Sequence, residues 1–194
     1  MDQPPSALST VIKRRSVGRL SYPGPDEEQL HAIIRAGMSA PDHGRLRPWR
    51  FVVFEDSARE KFGAVLATAL RQRLENQGLA VTDMQLSKER IKLLRAPCVI
   101  AVCAVLDHEN RIPVIEQFAA TAAACENMLI AATALGFGSM WRTGDPSYDP
   151  SVKYALGLKE TDMITGWIYV GTAGTKPLEK EPEESVDPYV SHWS

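Results

Sequence analysis

The stretch that most constrains this chain is Pro97 to Leu106, Pro-Cys-Val-Ile-Ala-Val-Cys-Ala-Val-Leu, which has no polar side chain. A strand exposes alternate residues on opposite faces, so a continuous apolar run of strand length needs cover on both sides. The run therefore predicts a central strand covered on both faces. A buried helix is also plain. Pro113 to Leu135 is the longest helical pattern, and Ala119 to Ala134 contains eight alanines. Phe118, Ala122, Cys125, Leu129 and Ala132 recur there at helical spacing. A helix this apolar on most faces must be buried. Its small side chains also let another backbone approach closely. A core helix explains this, and so does a core helix that also lies at a subunit interface.

The remaining elements follow from caps, breakers and periodicity. Ser6 to Lys13 reads as a short first helix with Ser6 as N-cap. Ser21-Tyr22-Pro23-Gly24-Pro25 is a turn. Asp26 and Gln29 form a capping box that opens a second helix, whose apolar stripe is Leu30, Ile33, Ile34 and Met38. Pro41 ends it, and Asp42 to Pro48 is an irregular loop. Trp49 to Phe54 reads as a strand. Ser57 to Glu60 looks like a second capping box, followed by a long helix toward Gln77 that Gly78 terminates. Thr82 opens a shorter helix to about Leu94. Gly136 to Trp141 turns sharply into a strand-like exit, Pro150 to Gly157 is a short helix, and Met163 to Gly171 is the last strong strand. The chain is thus one domain over 1–194, with a core of about 8–171 and a C-terminal arm of 172–194. Tyr189, Val190 and Trp193 are too apolar for a free tail and are expected to pack on something, a partner subunit among the options.

Composition excludes several classes. The 194 residues are 44% hydrophobic and 24% charged, with a net charge of −2. That is an ordinary soluble globular chain, without the basic field a general nucleic-acid binder needs. No apolar run reaches the ~20 residues of a membrane-spanning helix. The first residues carry no signal pattern, so a cytoplasmic, membrane-free protein is expected. Cys98, Cys103 and Cys125 lack paired metal spacing and read as reduced, buried small hydrophobes. No metal site is expected, since His31, His43, His108 and His192 fall in separate elements.

Three clusters carry possible chemistry. Lys13-Arg14-Arg15-Ser16, with Arg19 behind, offers guanidinium forks and a hydroxyl suited to phosphate oxygens. It could equally be a basic helix end that offsets the helix dipole. Ser39-Ala40-Pro41-Asp42-His43-Gly44-Arg45-Leu46-Arg47-Pro48-Trp49 puts a histidine and two arginines on a loop between a helix and a strand, where binding groups concentrate. It could also be a solvated connector in which His43 caps the helix. Trp141, Arg142 and Thr143 present a ring, a cation and a hydroxyl in succession; Trp141 could instead be core and Arg142 paired with a surface acid. None contains a nucleophile or an acid–base pair. A phosphate-bearing planar cofactor that does the chemistry itself accounts for all three.

These clusters carry a resemblance. Arg14-Arg15-Ser16-Val17-Gly18-Arg19 resembles the opening Arg-Arg-Ser motif of the nitroreductase family. Ala40-Pro41-Asp42-His43 through Pro48-Trp49 is similar to its Ala-Pro-Ser…Gln-Pro-Trp loop, and Gly136 to Arg142 to its Leu-Gly-(Tyr/Phe)-Gly…Trp segment. Order and separations match over roughly Leu8 to Gly171. The short chain, the Pro-Asp-His variant and the Trp-Arg-Thr exit look most like the compact YdjA-like branch.

The resemblance implies an α+β nitroreductase-like fold: a central, mostly antiparallel sheet flanked by helices, in an intertwined homodimer with an FMN at each interface. By position, Arg14, Arg15 and Ser16 would hold the FMN phosphate and ribityl end. Ser39 and His43 would reach the same flavin from the partner chain, and Trp141, Arg142 and Thr143 would line it from the first. Ala131 to Gly136 would lie near the nicotinamide cofactor. The family's serine, asparagine and glutamine are replaced here by Asp42, Arg45 and Arg47, and the compact branch often has an arginine where Ser39 stands. The basic phosphate partner near the family's C-terminus has only Lys176 and Lys180 as candidates. The implied activity is FMN-dependent NAD(P)H oxidoreduction, with NADH or NADPH as reductant and a nitroaromatic, quinone or similar small molecule as acceptor. The alternatives are another flavin reaction on this fold, such as activated-alkene reduction, or a non-catalytic FMN-binding protein. No side chain is expected to be catalytic, since flavin N5 is the redox centre.

Overall fold

The computed structural model describes residues 7–174 and 184–193. In chain order the elements are α1 (Ala7–Lys13), β1 (Leu20–Ser21), α2 (Glu27–Met38), β2 (Trp49–Glu55), α3 (Asp56–Asn76), α4 (Asp83–Arg90), β3 (Cys98–Ala104), α5 (Val114–Ala134), β4 (Gly138–Arg142), α6 (Pro150–Ala155) and β5 (Met163–Ala173). The five strands form one sheet in which every ladder is antiparallel. β5 is its spine. It pairs with β3 from Met163 to Val170, with β4 from Trp167 to Gly171, and with the short β1 at Thr172 and Ala173. β2 closes the far side of β3.

The Pro97–Leu106 run does what its composition requires. All seven residues of β3 are buried. Val99, Ala101 and Cys103 face one core with Phe54, Phe62, Leu66, Leu93, Trp167 and Tyr169. Cys98, Ile100 and Val102 face the other with Ile33, Cys125, Met128, Ile168 and Val170. α3 and α6 thus cover one side, and α2 and α5 the other. Burying each of the larger aliphatic side chains contributes roughly 1.5–3 kcal/mol.

Several local expectations need amending. The Asp26–Gln29 box caps α2 as read, and Thr82 with Gln85 forms a further box at α4. Ser57 caps nothing: β2 passes directly into α3, Glu55 takes the N-cap position, and Ser57 is already helical. Met38 lies at the C-terminal end of the α2 stripe but is half exposed. The helix from Thr82 breaks at Arg90 and continues as a 3₁₀ turn, Lys92–Arg95. β1 lies in what read as a turn, and the last strand extends to Ala173. Ser6 lies outside the described residues, as do Lys176 and Lys180. Tyr189, Val190 and Trp193 are exposed within the single chain.

α5 is the most informative departure. Its buried face is Gln117, Ala120, Thr121, Ala124, Cys125, Met128, Leu129 and Ala132. Phe118, Ala122, Ala123 and Ile130 are only half-buried, and Ala119 is exposed. One chain therefore covers one side of this helix and leaves an apolar, small-residue side open.

The three cysteines are free and buried. Burial pushes each thiol up to about 12. Thiolate, the reactive form, is then scarce at neutral pH. A thiol reagent at pH 7–8 is expected to label none of the three within minutes on the native protein and all three after denaturation. Rapid native labelling would contradict this packing.

Candidate functional site

α1 ends at Lys13, and the chain then runs along the free edge of β4. Ser16 makes a parallel bridge to Ser139, and the Val17 amide donates to the Ser139 carbonyl at 2.9 Å. This bridge delivers the first cluster to the third. A Cβ added at Gly18 would lie 3.6 Å from an Arg142 terminal nitrogen and 3.9 Å from the Met140 sulfur. Ser16 and Gly18 are thereby brought alongside Ser139 and Arg142 at one edge of the sheet, while the Arg14 side chain turns to α5.

The two adjacent arginines are used differently. Arg14 Nε donates to Glu126 Oε1 on α5 at 3.2 Å, with both side chains partly buried. Its two terminal nitrogens have no acceptor among the described residues, so the outer fork of the guanidinium remains available. Arg15 Nη1 donates to the carbonyls of Ile12 and Arg14, at 2.7 and 2.8 Å. That matches the simpler reading of a cation at a helix C-terminus, where carbonyls lack partners. Ser16 is exposed.

The loop after α2 is held at both ends. Ser39 Oγ donates to the Ala36 carbonyl at 2.7 Å, closing the helix end. Asp42 Oδ2 accepts the Arg47 amide at 2.6 Å. Between them Gly44, Arg45 and Arg47 have φ of 71°, 54° and 51°. Two non-glycine residues in the left-handed region is an uncommon arrangement that a loop keeps only when its surroundings enforce it. The result is a cavity of about 310 Å³ lined by Met38, Ala40, Asp42, Arg45, Arg47 and Trp49. His43 does not cap α2. Its Nδ1 lies 2.5 Å from Glu116 Oε2 in the first turn of α5, and its ring is largely exposed.

α5 also measures the separation of the clusters. Glu116 holds His43 and Glu126 holds Arg14, ten residues apart on one helix. At 1.5 Å per residue the two anchor points are about 15 Å apart. Within one chain, the His43 loop and the Arg14 segment are therefore anchored at separate places on α5.

On β4, Trp141 and Arg142 point to opposite faces, as strand alternation requires. Trp141 Nε1 donates to the Thr165 carbonyl at 3.2 Å, and its ring occupies the space over Gly166. Among the described residues Arg142 pairs with no surface acid; its guanidinium sits over the Tyr169 ring, 6.0 Å from the centroid. Thr143 is exposed beside it. Burial pushes the Tyr169 phenol up to about 12 although Arg95 and Arg142 pull it down, so Tyr169 stays a neutral donor. Ser139 Oγ is buried and has no hydrogen-bond partner among the described residues.

Sequence reasoning missed Glu116, Glu126 and Tyr169. The acids did leave a signal: they are the only two charged residues in α5. Tyr169 left none, because its place beside Arg142 comes from strand pairing. Among the described residues no cluster of His, Cys, Asp and Glu is arranged to hold a metal, and no helix is long and apolar enough to cross a membrane.

The nitroreductase family profile matches residues 11–172, the span that contains all three clusters. The chain belongs to the nitroreductase family. "Putative NAD(P)H nitroreductase YdjA" of Escherichia coli K12 is 38% identical over 189 residues, 96% of this chain and 99% of that protein. Among solved structures, a nitroreductase-like family protein from Bacillus cereus has a TM-score of 0.81 at 22% identity, covering 98% of this chain and 97% of the other. A nitroreductase with bound FMN from Bacteroides fragilis has a TM-score of 0.69 at 22% identity, covering 93% and 95%. Together they establish the nitroreductase-like α+β fold.

The Trp141 seat gives a direct check of the geometry. A Cβ on Gly166 would fall 1.9 Å from Trp141 Nε1. Gly166→Ala is expected to displace the indole, alter the near-UV circular dichroism and cost about 1–3 kcal/mol of stability. An unchanged spectrum and melting temperature would show that the ring sits elsewhere.

Proposed function

We propose that this protein is an FMN-dependent NAD(P)H oxidoreductase of nitroreductase type, working in the cytoplasm as a homodimer with flavin sites shared between subunits. The observation that carries the reading is the bridge from Ser16 to Ser139, which lays the Arg-Arg-Ser segment along the edge strand that carries Arg142. Family membership, the name of the E. coli relative and the FMN in the B. fragilis structure support it.

The residues present fit such a group. Arg14 and Ser16 offer charge-assisted and neutral donors for a phosphate, and Glu126 orients the Arg14 fork by holding Nε alone. Arg15 steadies the turn that presents them. Thr143, exposed beside Arg142, would line the ring side, and Trp141 on the opposite face of β4 would fix the strand that carries them. Arg142 places positive charge where a reduced, anionic ring gains from it. The chemistry that FMN supplies when bound is two-electron redox: a hydride taken from NADH or NADPH, then reducing equivalents passed to a nitroaromatic, quinone or similar acceptor in a ping-pong cycle.

The open side of α5 and the exposed Leu8, Val11 and Ile12 on α1 favour a second copy as the missing cover. Ser39 and His43 would then complete the site from the partner subunit, which accounts for the ~15 Å between half-sites in one chain.

The purified protein should be yellow, and its flavin absorbance should bleach anaerobically with NADH or NADPH. A colourless protein that rejects added FMN would contradict the reading. Arg142→Ala should weaken FMN binding or slow reduction by about tenfold, the usual scale for a charged hydrogen bond; unchanged values would remove that role.

A further inference from the structure

A second basic cluster lies outside the three that the sequence presents. The 3₁₀ turn Lys92–Arg95 packs beside the end of β4, and between them is a cavity of about 180 Å³. Lys92, Arg95, Arg142 and Thr143 supply its polar lining, and Trp167 and Tyr169 its aromatic wall. The charges do not cancel. Lys92 pairs with the buried Glu89, whose charge also reaches Tyr169, but Arg95 and Arg142 have neither an ion pair nor a hydrogen-bond acceptor among the described residues. Both guanidinium groups line the one cavity, so an anion seated there is attracted by both charges. Tyr169 stays protonated and so competes with no such anion.

Size decides what kind of anion fits. At ~30 Å³ per liquid water, 180 Å³ holds about six waters, well below the 300 Å³ or more of a whole-ligand site. The space suits one head group and not a fused ring system. Guanidinium forks and a threonine hydroxyl are the donors that match a tetrahedral or planar oxyanion.

We propose that Lys92, Arg95, Arg142 and Thr143 form an oxyanion pocket that receives the phosphate or carboxylate group of a substrate, adjoining the flavin site through Arg142 and Thr143. This deepens the oxidoreductase reading and rests on it for the identity of the substrate. The shared chemistry has two sources, the 2′-phosphate of NADPH or an acid group on the acceptor.

The test is calorimetric titration of the FMN-loaded protein with inorganic phosphate in a phosphate-free buffer. Wild type should bind saturably. Arg95→Gln should weaken binding about tenfold, Arg95→Lys should recover part of it, and Lys61→Gln, an exposed change on α3, should leave it intact. Arg95 is itself exposed, so its replacement does not threaten folding. No saturable binding, or equal binding by wild type and Arg95→Gln, overturns the pocket. Steady-state kinetics then separate the sources. A raised KM for NADPH but not NADH in Arg95→Gln assigns the 2′-phosphate; a raised KM for 4-nitrobenzoate but not nitrobenzene assigns the acceptor. If neither KM moves, the link to a substrate is overturned. Should the protein hold no flavin, the same titration on the chain as purified still reads the pocket, so failure of the two readings is distinguishable.

Discussion

Helix α5 sits flush on β3 and β5 because its inward face is made of small and medium side chains, Ala120, Ala124, Cys125 and Ala132 among them. Larger residues would lift it from the sheet, since interiors tolerate little change in volume. The close seating fixes where the two charges of α5 project. Glu126 holds Arg14 and Glu116 holds His43, so a single rigid helix sets the position of two candidate segments that are remote in sequence. The same helix leaves an apolar side uncovered. Packing and the spacing of the two segments therefore follow from one element.

β4 contributes the second constraint. As an edge strand it offers a free row of backbone groups, and the segment after α1 takes one of them through Val17 and Ser139. Without that contact, the Arg-Arg-Ser segment would be a solvated helix end. With it the segment lies along the edge strand that carries Arg142. The two faces of β4 are used for different ends. Trp141 is locked over Gly166 on one side, and Arg142 lies over Tyr169 on the other, facing the basic cavity.

Much of the fold was legible in the sequence because its signals are local. The apolar run of β3, the alanine-rich α5 and the Asp26–Gln29 box depend on neighbours within a few residues. Ser57 misled because a capping pattern is the same whether it starts a helix or lies one turn inside it; β2 running straight into α3 decides the case, and that is tertiary. β1 is two residues long and exists only through β5. Around the candidate residues, the motifs stand out in the sequence and their structural partners do not. Glu126 meets Arg14 across 112 positions, a pairing that no local pattern records. Tyr169 and Arg95 come into play only when β5 and the 3₁₀ turn converge on β4.

The central claim is that each flavin site is built from Arg14 of one subunit and His43 of the other. A tag-selected heterodimer that pairs an Arg14→Ala subunit with a His43→Ala subunit tests it, read by FMN titration. If the site is composite, both lesions fall in one site and the other remains whole, so the heterodimer binds one FMN per dimer with wild-type affinity. Two equally weakened sites per dimer would place both residues around the same flavin within one chain and contradict the account.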